Sequence, residues 1–181
     1  MYTREQASTL RQAFWTAFGN YMNPVPSAEG LKINWINYNT GLKNVFFRLK
    51  ADKKTADIAI EITHPDTEIQ ELYFEQFTEL RPMLHEQMDE EWEWVLHTTD
   101  ENGKIISRIY KEISPVSVFN QNDWPTLISF FKPRLISLDE FWSSAQYSFD
   151  ALRWKMKQII CCYFSNLCLV SGWANKIMAK L

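Results

Sequence analysis

Apolar positions recur every three to four residues near the start of the chain, at Leu10, Phe14, Ala17, Phe18 and Tyr21. That is the period of a helix burying one stripe. Thr3-Arg-Glu-Gln6 precedes them with capping-box spacing, a Thr hydroxyl and a Gln amide placed to satisfy orphan N–H groups. The spacing predicts a helix over about 4–21, ended by Asn23-Pro24-Val25-Pro26 because proline cannot extend the ladder. The period then drops to two. Residues 31–38 (LKINWINY) alternate Leu31, Ile33, Trp35 and Asn37 on one side; residues 44–51 (NVFFRLKA) set Val45, Phe47 and Leu49 against Phe46, Arg48 and Lys50. Residues 56–63 set Ala56, Ile58, Ile60 and Ile62 against Asp57, Ala59, Glu61 and Thr63. Each reads as a strand, and Asn39-Thr40-Gly41 and Asp52-Lys53-Lys54 are short enough for antiparallel hairpins.

Helical spacing returns with Ile69, Leu72, Tyr73, Phe77, Leu80 and Leu84, behind a second capping-box pattern at Thr67-Glu-Ile-Gln70. This predicts a helix over about 67–88, kinked at Pro82. A hairpin follows over 92–110, with Trp92, Trp94 and Leu96 alternating, Asp100-Glu-Asn-Gly103 turning, and Pro115 closing its second strand. Both tryptophans read as core. Asp123-Trp-Pro125 opens another helix, and Ser137-Leu-Asp-Glu140 one more, with Phe141, Trp142, Ala145 and Phe149 on its apolar side. The expected order is helix, three strands, helix, two strands, helices. It describes an α+β fold whose antiparallel sheet of about five strands is covered by helices on one face. The organisation expected is a single domain over residues 1–153 and an apolar, helical tail over 154–181.

With 181 residues, 46% of them hydrophobic and 15% aromatic, the chain can bury a sizeable core. A formal charge of −3 removes net charge as a driver of binding to phosphate polymers and leaves only local basic patches. The start, MYTREQAST, has no basic-then-apolar pattern of a secretory signal, and the three cysteines (Cys161, Cys162, Cys168) form no disulfide framework. A reducing cytoplasm is the expected location. Residues 158–175 contain no charge and approach the length of a membrane span. Gln158, Ser165, Asn166, Ser171 and Asn175 argue against one, and the flanking Lys155, Lys157 and Lys176 give no orientation bias. Packing on the domain, or homo-oligomerisation through 158–175, is the expectation.

The strand ADIAIEI, the helix ELYFEQFTELRPMLHEQM, the strand EWEWVL, the strand end SRIYKEI and the segment NDWPTLISFFKPRLISLDEFW occur here in that order. Over about residues 3–152 the chain resembles the bacterial domain-of-unknown-function family 4268. The resemblance implies an alternating strand, a long Phe- and Glu-rich helix, a tryptophan strand and a late helix opened by Trp. Family members can sit downstream of nuclease-like domains, which implies nucleic-acid or defence contexts. It carries over no active site.

Two surfaces are candidates. Asp57, Glu61 and Asp66 form the acidic one, as in magnesium-dependent nucleases that grip a cation from a sheet. Asp57 and Glu61 share a strand face but lie roughly 13 Å apart along it, too far for both to ligate one ion directly. The Glu-x-Lys continuation is also absent, since Glu61 is followed by Ile62-Thr63. The expected reading is a strand with a solvated polar face and Glu61 outside. On that face Phe46, Arg48, Lys50, Arg108, Tyr110 and Lys111 make the other surface, cations for phosphates and aromatics for bases or a peptide. His64, His85 and His97 are isolated, and Cys161-Cys162 with Cys168 is not zinc spacing, so no metal or cofactor is expected. No P-loop, Gly-x-Gly-x-x-Gly or Gly-x-Ser-x-Gly occurs. A non-catalytic interaction module, binding protein or nucleic acid, is the leading expectation; a divergent nuclease and a tail-mediated oligomer are the alternatives.

Overall fold

The computed structural model describes residues 3–150 and Leu152. The chain divides into two compact units, Met1–Gln146 and Tyr147–Leu181. The first carries all that follows. The expected domain boundary at 153/154 and the oligomerising tail at 158–175 lie outside the described residues.

α1 (Arg4–Met22) starts at the predicted capping box, Thr3 and Gln6 exchanging side-chain bonds to each other's backbone N–H. Next come β1 (Val45–Ala51), β2 (Ala56–Ile62), α2 (Thr67–Glu79), α3 (Arg81–Met88), β3 (Glu93–Thr99), β4 (Ile105–Ile113) and α4 (Trp124–Ala145). The four strands form one antiparallel sheet in the order β1-β2-β4-β3.

The fold is α+β, but the five-strand sheet expected is not formed. Residues 31–38 contribute no strand, because local side-chain bonds curl the backbone there. The Asn34 side chain accepts from the N–H groups of Ile36 and Asn37, both at 3.1 Å, and the Ser27 hydroxyl accepts from Leu31 N–H. Trp35 is the fully buried member of this alternation, its indole N–H donating to the Val25 carbonyl at 2.9 Å; Leu31 stays exposed.

Two helix expectations also change. The stretch over 67–88 divides at Leu80, whose backbone leaves helical values just before Pro82 at the start of α3. Conversely, 124–145 is one helix of 22 residues running through Pro133. The apolar stripe of Leu127, Phe130, Phe131, Leu135, Leu138, Phe141 and Trp142 is continuous across that proline, so burial outweighs the lost hydrogen bond.

α2 and α4 pack on one face of the sheet. Ile58, Ile60 and Ile62 are fully buried there. Trp142 stacks on Phe77 of α2, meets Phe47 of β1 edge-on at 5.8 Å, and donates its indole N–H to the Thr40 carbonyl at 3.0 Å. Gln70, fully buried on α2, donates to the carbonyls of His64 and Ile105 while its oxygen accepts from Ser107 of β4, so this polar contact is satisfied. α1 sets Phe14 and Phe18 against Phe131 of α4. Trp92 is buried just ahead of β3, whereas Trp94 is only half-buried, with Phe74 and the Arg81 guanidinium beside it.

Candidate functional site

The face opposite the helices is laid out by strand register in three rows. Phe46, Glu61, Arg108 and Val95 lie across the first row; Arg48, Ala59, Tyr110 and Glu93 across the second; Lys50, Asp57 and Glu112 across the third. Rows are roughly 7 Å apart, two residues along each strand.

Charge pairing on this face crosses between rows. Arg108, in the first row, donates to Asp57 in the third, while its Nε lies 3.1 Å from Glu61, an ion-pair contact without hydrogen-bond alignment. Lys50, in the third row, donates to Glu61 in the first at 2.8 Å. Both connections pass the middle row at Ala59, the smallest residue of the face and fully buried. A longer side chain there would occupy the path. Two cations and two carboxylates thus form one network with no net charge.

This corrects the expectation of a solvated polar face. Glu61 is 6% and Asp57 9% exposed, and every residue of β2 is buried. Alternation places both acids on the face opposite α2 and α4, but the Arg108 and Lys50 side chains lie across them. Burial pushes the Asp57 carboxyl above the ordinary range and Glu61 pushes the same way; Arg108 and Lys50 pull against them.

Around the network the surface is amphipathic. Arg48 is exposed, its guanidinium over the Phe46 ring at 4.4 Å; Arg108 lies over Tyr110 at 4.8 Å. The Tyr110 hydroxyl donates to Glu93 at 2.7 Å, and that bond raises the phenol's pKa. Phe46, Arg48, Lys50, Arg108 and Tyr110 are therefore brought together, with Asp57 and Glu61 beneath.

Lys111 and Asp66 are not part of the group. Lys111 pairs with Ile58, so it belongs to the helix-covered face, where its ammonium donates to the Glu91 carbonyl at 2.9 Å. Parity alone separates it from Arg108 and Tyr110. Asp66 is the N-cap of α2 and accepts from Glu68 N–H. Glu93 and Ala59 lie on this face too, although neither was among the candidate site residues. Among the described residues no group of three or more His, Cys, Asp or Glu is placed to hold a metal ion, and no helix is long and apolar enough to cross a membrane.

A family model described as Domain of unknown function (DUF4268) matches residues 10–146, which takes in the whole sheet and all four helices but the first turns of α1. No curated protein and no solved structure gives a significant match.

Proposed function

The chain belongs to the DUF4268 family, and from that premise we propose that it is a non-catalytic protein-interaction module whose sheet face opposite α2 and α4 is the docking surface. The observation that carries this reading is the commitment of Asp57 and Glu61 to Arg108 and Lys50. A nuclease of the sheet-borne type needs its carboxylates free to take a cation. Here each already has a cationic partner.

The same pairing weighs against a phosphate track. Lys50 and Arg108 would have to leave buried acids to reach a nucleic-acid backbone, and among the described residues Arg48 is the remaining cation in the three rows. What the face offers instead is half-buried Phe46 and Tyr110, each beside a guanidinium, with exposed Glu93 and Glu112 at its margin. Aromatic and arginine anchors inside a polar rim are the composition of protein interfaces. The family context suggests an accessory role in nucleic-acid processing or defence, reached through a partner protein.

The test is incubation of the full chain with single- and double-stranded DNA and RNA plus magnesium, beside Asp57→Asn. No cleavage is expected from either. Magnesium-dependent cleavage that disappears in Asp57→Asn would overturn the proposal. Steeply salt-dependent oligonucleotide binding that weakens in Arg48→Ala would transfer the face to nucleic acid.

A further inference from the structure

The irregular 27–39 segment and the C-terminal half of α4 line a cavity of about 310 Å³. This is the lower end of the range for small-molecule sites. Its lining includes Asp139, Tyr38, Trp142, Glu29 and Asn37. Asp139 is 4% exposed. One carboxylate oxygen accepts from the Tyr38 hydroxyl at 2.6 Å, the other from Ala28 N–H at 2.5 Å. Burial and Asp139 both hold the Tyr38 phenol far above its ordinary pKa, so it stays a donor.

Among the described residues no lysine, arginine or histidine pairs with Asp139. In that respect it differs from Asp57 and Glu61, the other buried acids among the described residues, each of which has a basic partner. A carboxylate has about four lone-pair positions, and two of Asp139's are filled. Buried charges are normally paired. Glu29 adds further negative potential at the same cavity, and Trp142 and Tyr38 supply aromatic walls. Acid plus aromatic lining is the chemistry that receives a cation.

We propose that this cavity binds a compact organic cation, a guanidinium or primary ammonium group, with Asp139 as its counter-ion. The site is separate from the sheet face and does not rest on the interaction reading. Tyr38 and the Ala28 N–H hold the carboxylate in place and leave its remaining lone pairs to the ligand. Asn37 offers an amide at the wall for a second polar contact.

The decisive pair of probes is butylguanidine and butylurea, nearly the same shape with and without charge. They are titrated into the full chain by calorimetry, with the indole N–H signals of the 15N-labelled protein followed in parallel. Saturable binding of butylguanidine is expected, at least about tenfold tighter than butylurea, with the Trp142 indole shifted. Asp139→Asn should lose at least about tenfold of that affinity. Ser143→Met fills the cavity from its lining without removing either bond to Asp139, and should also abolish binding. It decides the matter if Asp139→Asn does not fold. Gly-Arg-Gly distinguishes sources: tighter binding than butylguanidine assigns the pocket to a polypeptide arginine, weaker binding to a small free cation. No saturable binding of butylguanidine, equal binding of butylurea, or binding unaffected by Ser143→Met would overturn the proposal.

Discussion

Replacing Arg108 by alanine should do more damage than any surface ion pair would suggest. The Arg108 side chain is 17% exposed and answers two carboxylates, Asp57 at 13% and Glu61 at 7%. Its removal leaves Glu61 with Lys50 and leaves Asp57 without a charge-bearing hydrogen-bond partner. Exposed pairs are worth about 0–1 kcal/mol, whereas stranding a buried charge costs about 3–5 kcal/mol. The lower part of that second range fits best, because Lys50 is 40% exposed and can turn back to Asp57, its neighbour across the third row. At about 2–4 °C per kcal/mol for a chain of this size, a cost of about 3–4 kcal/mol should lower the melting temperature by about 6–16 °C.

Urea unfolding at neutral pH measures the loss, and two companions locate its cause. Arg108→Lys keeps the charge but not the fork that reaches both acids, so it should fall between wild type and alanine. Arg108→Met combined with Asp57→Asn and Glu61→Gln removes the stranded charges and lets Lys50 turn to water; it should recover most of the deficit. A loss below about 1 kcal/mol in Arg108→Ala would refute the reasoning, since it would make the network an ordinary surface feature. So would a triple variant no more stable than Arg108→Ala.

Asp57→Asn should show the opposite side of the same balance through its pH dependence. Burial raises the folded-state pKa of Asp57, so its contribution to stability is complete below the ordinary aspartate range and is lost as pH rises through the folded value. Denaturation series from about pH 4 to pH 7 should therefore move in favour of Asp57→Asn relative to wild type, and a difference independent of pH would contradict that assignment. Ala59→Leu should cost about 1–3 kcal/mol as an overpacked site. It should also erase the extra effect of Arg108→Ala when the two are combined, because the crossing is already blocked; strictly additive losses would show that Ala59 is not the passage.

Period and parity carried most of the architecture, and the failures have physical reasons. α1, β1, β2 and the 92–110 hairpin follow from local spacing, since each buries a stripe or alternate positions against one surface. Residues 31–38 alternate equally well, but Asn34 and Ser27 offer the backbone hydrogen bonds inside the segment, which no apolar pattern registers. Pro133 marks a break in sequence and none in space, because Trp142 and Phe131 on either side of it serve one core.

Of the candidate surface residues, alternation sets Phe46, Arg48, Lys50, Arg108 and Tyr110 on one face and Lys111 on the other, and depth was illegible. Alternation says which face Asp57 and Glu61 occupy; it does not say what lies over them. Depth depends on register between strands: Ala59 stands between Arg48 and Tyr110, and the gap it leaves lets Arg108 and Lys50 cross two rows. The roughly 13 Å between the two positions along the strand does not hold between their carboxylates, which both meet the one Arg108 guanidinium. What bars a shared ion is that this guanidinium already lies between them. The same limit explains Asp139, which meets Tyr38 across 101 positions of sequence inside a segment that alternation assigns to a strand. A carboxylate on the open face and one in the cavity look alike in the sequence, yet their surroundings point to different chemistry. Paired with Arg108, Asp57 belongs to the surface proposed to meet a partner without reacting; Asp139, with no such pair among the described residues, is the acid proposed to accept a cation.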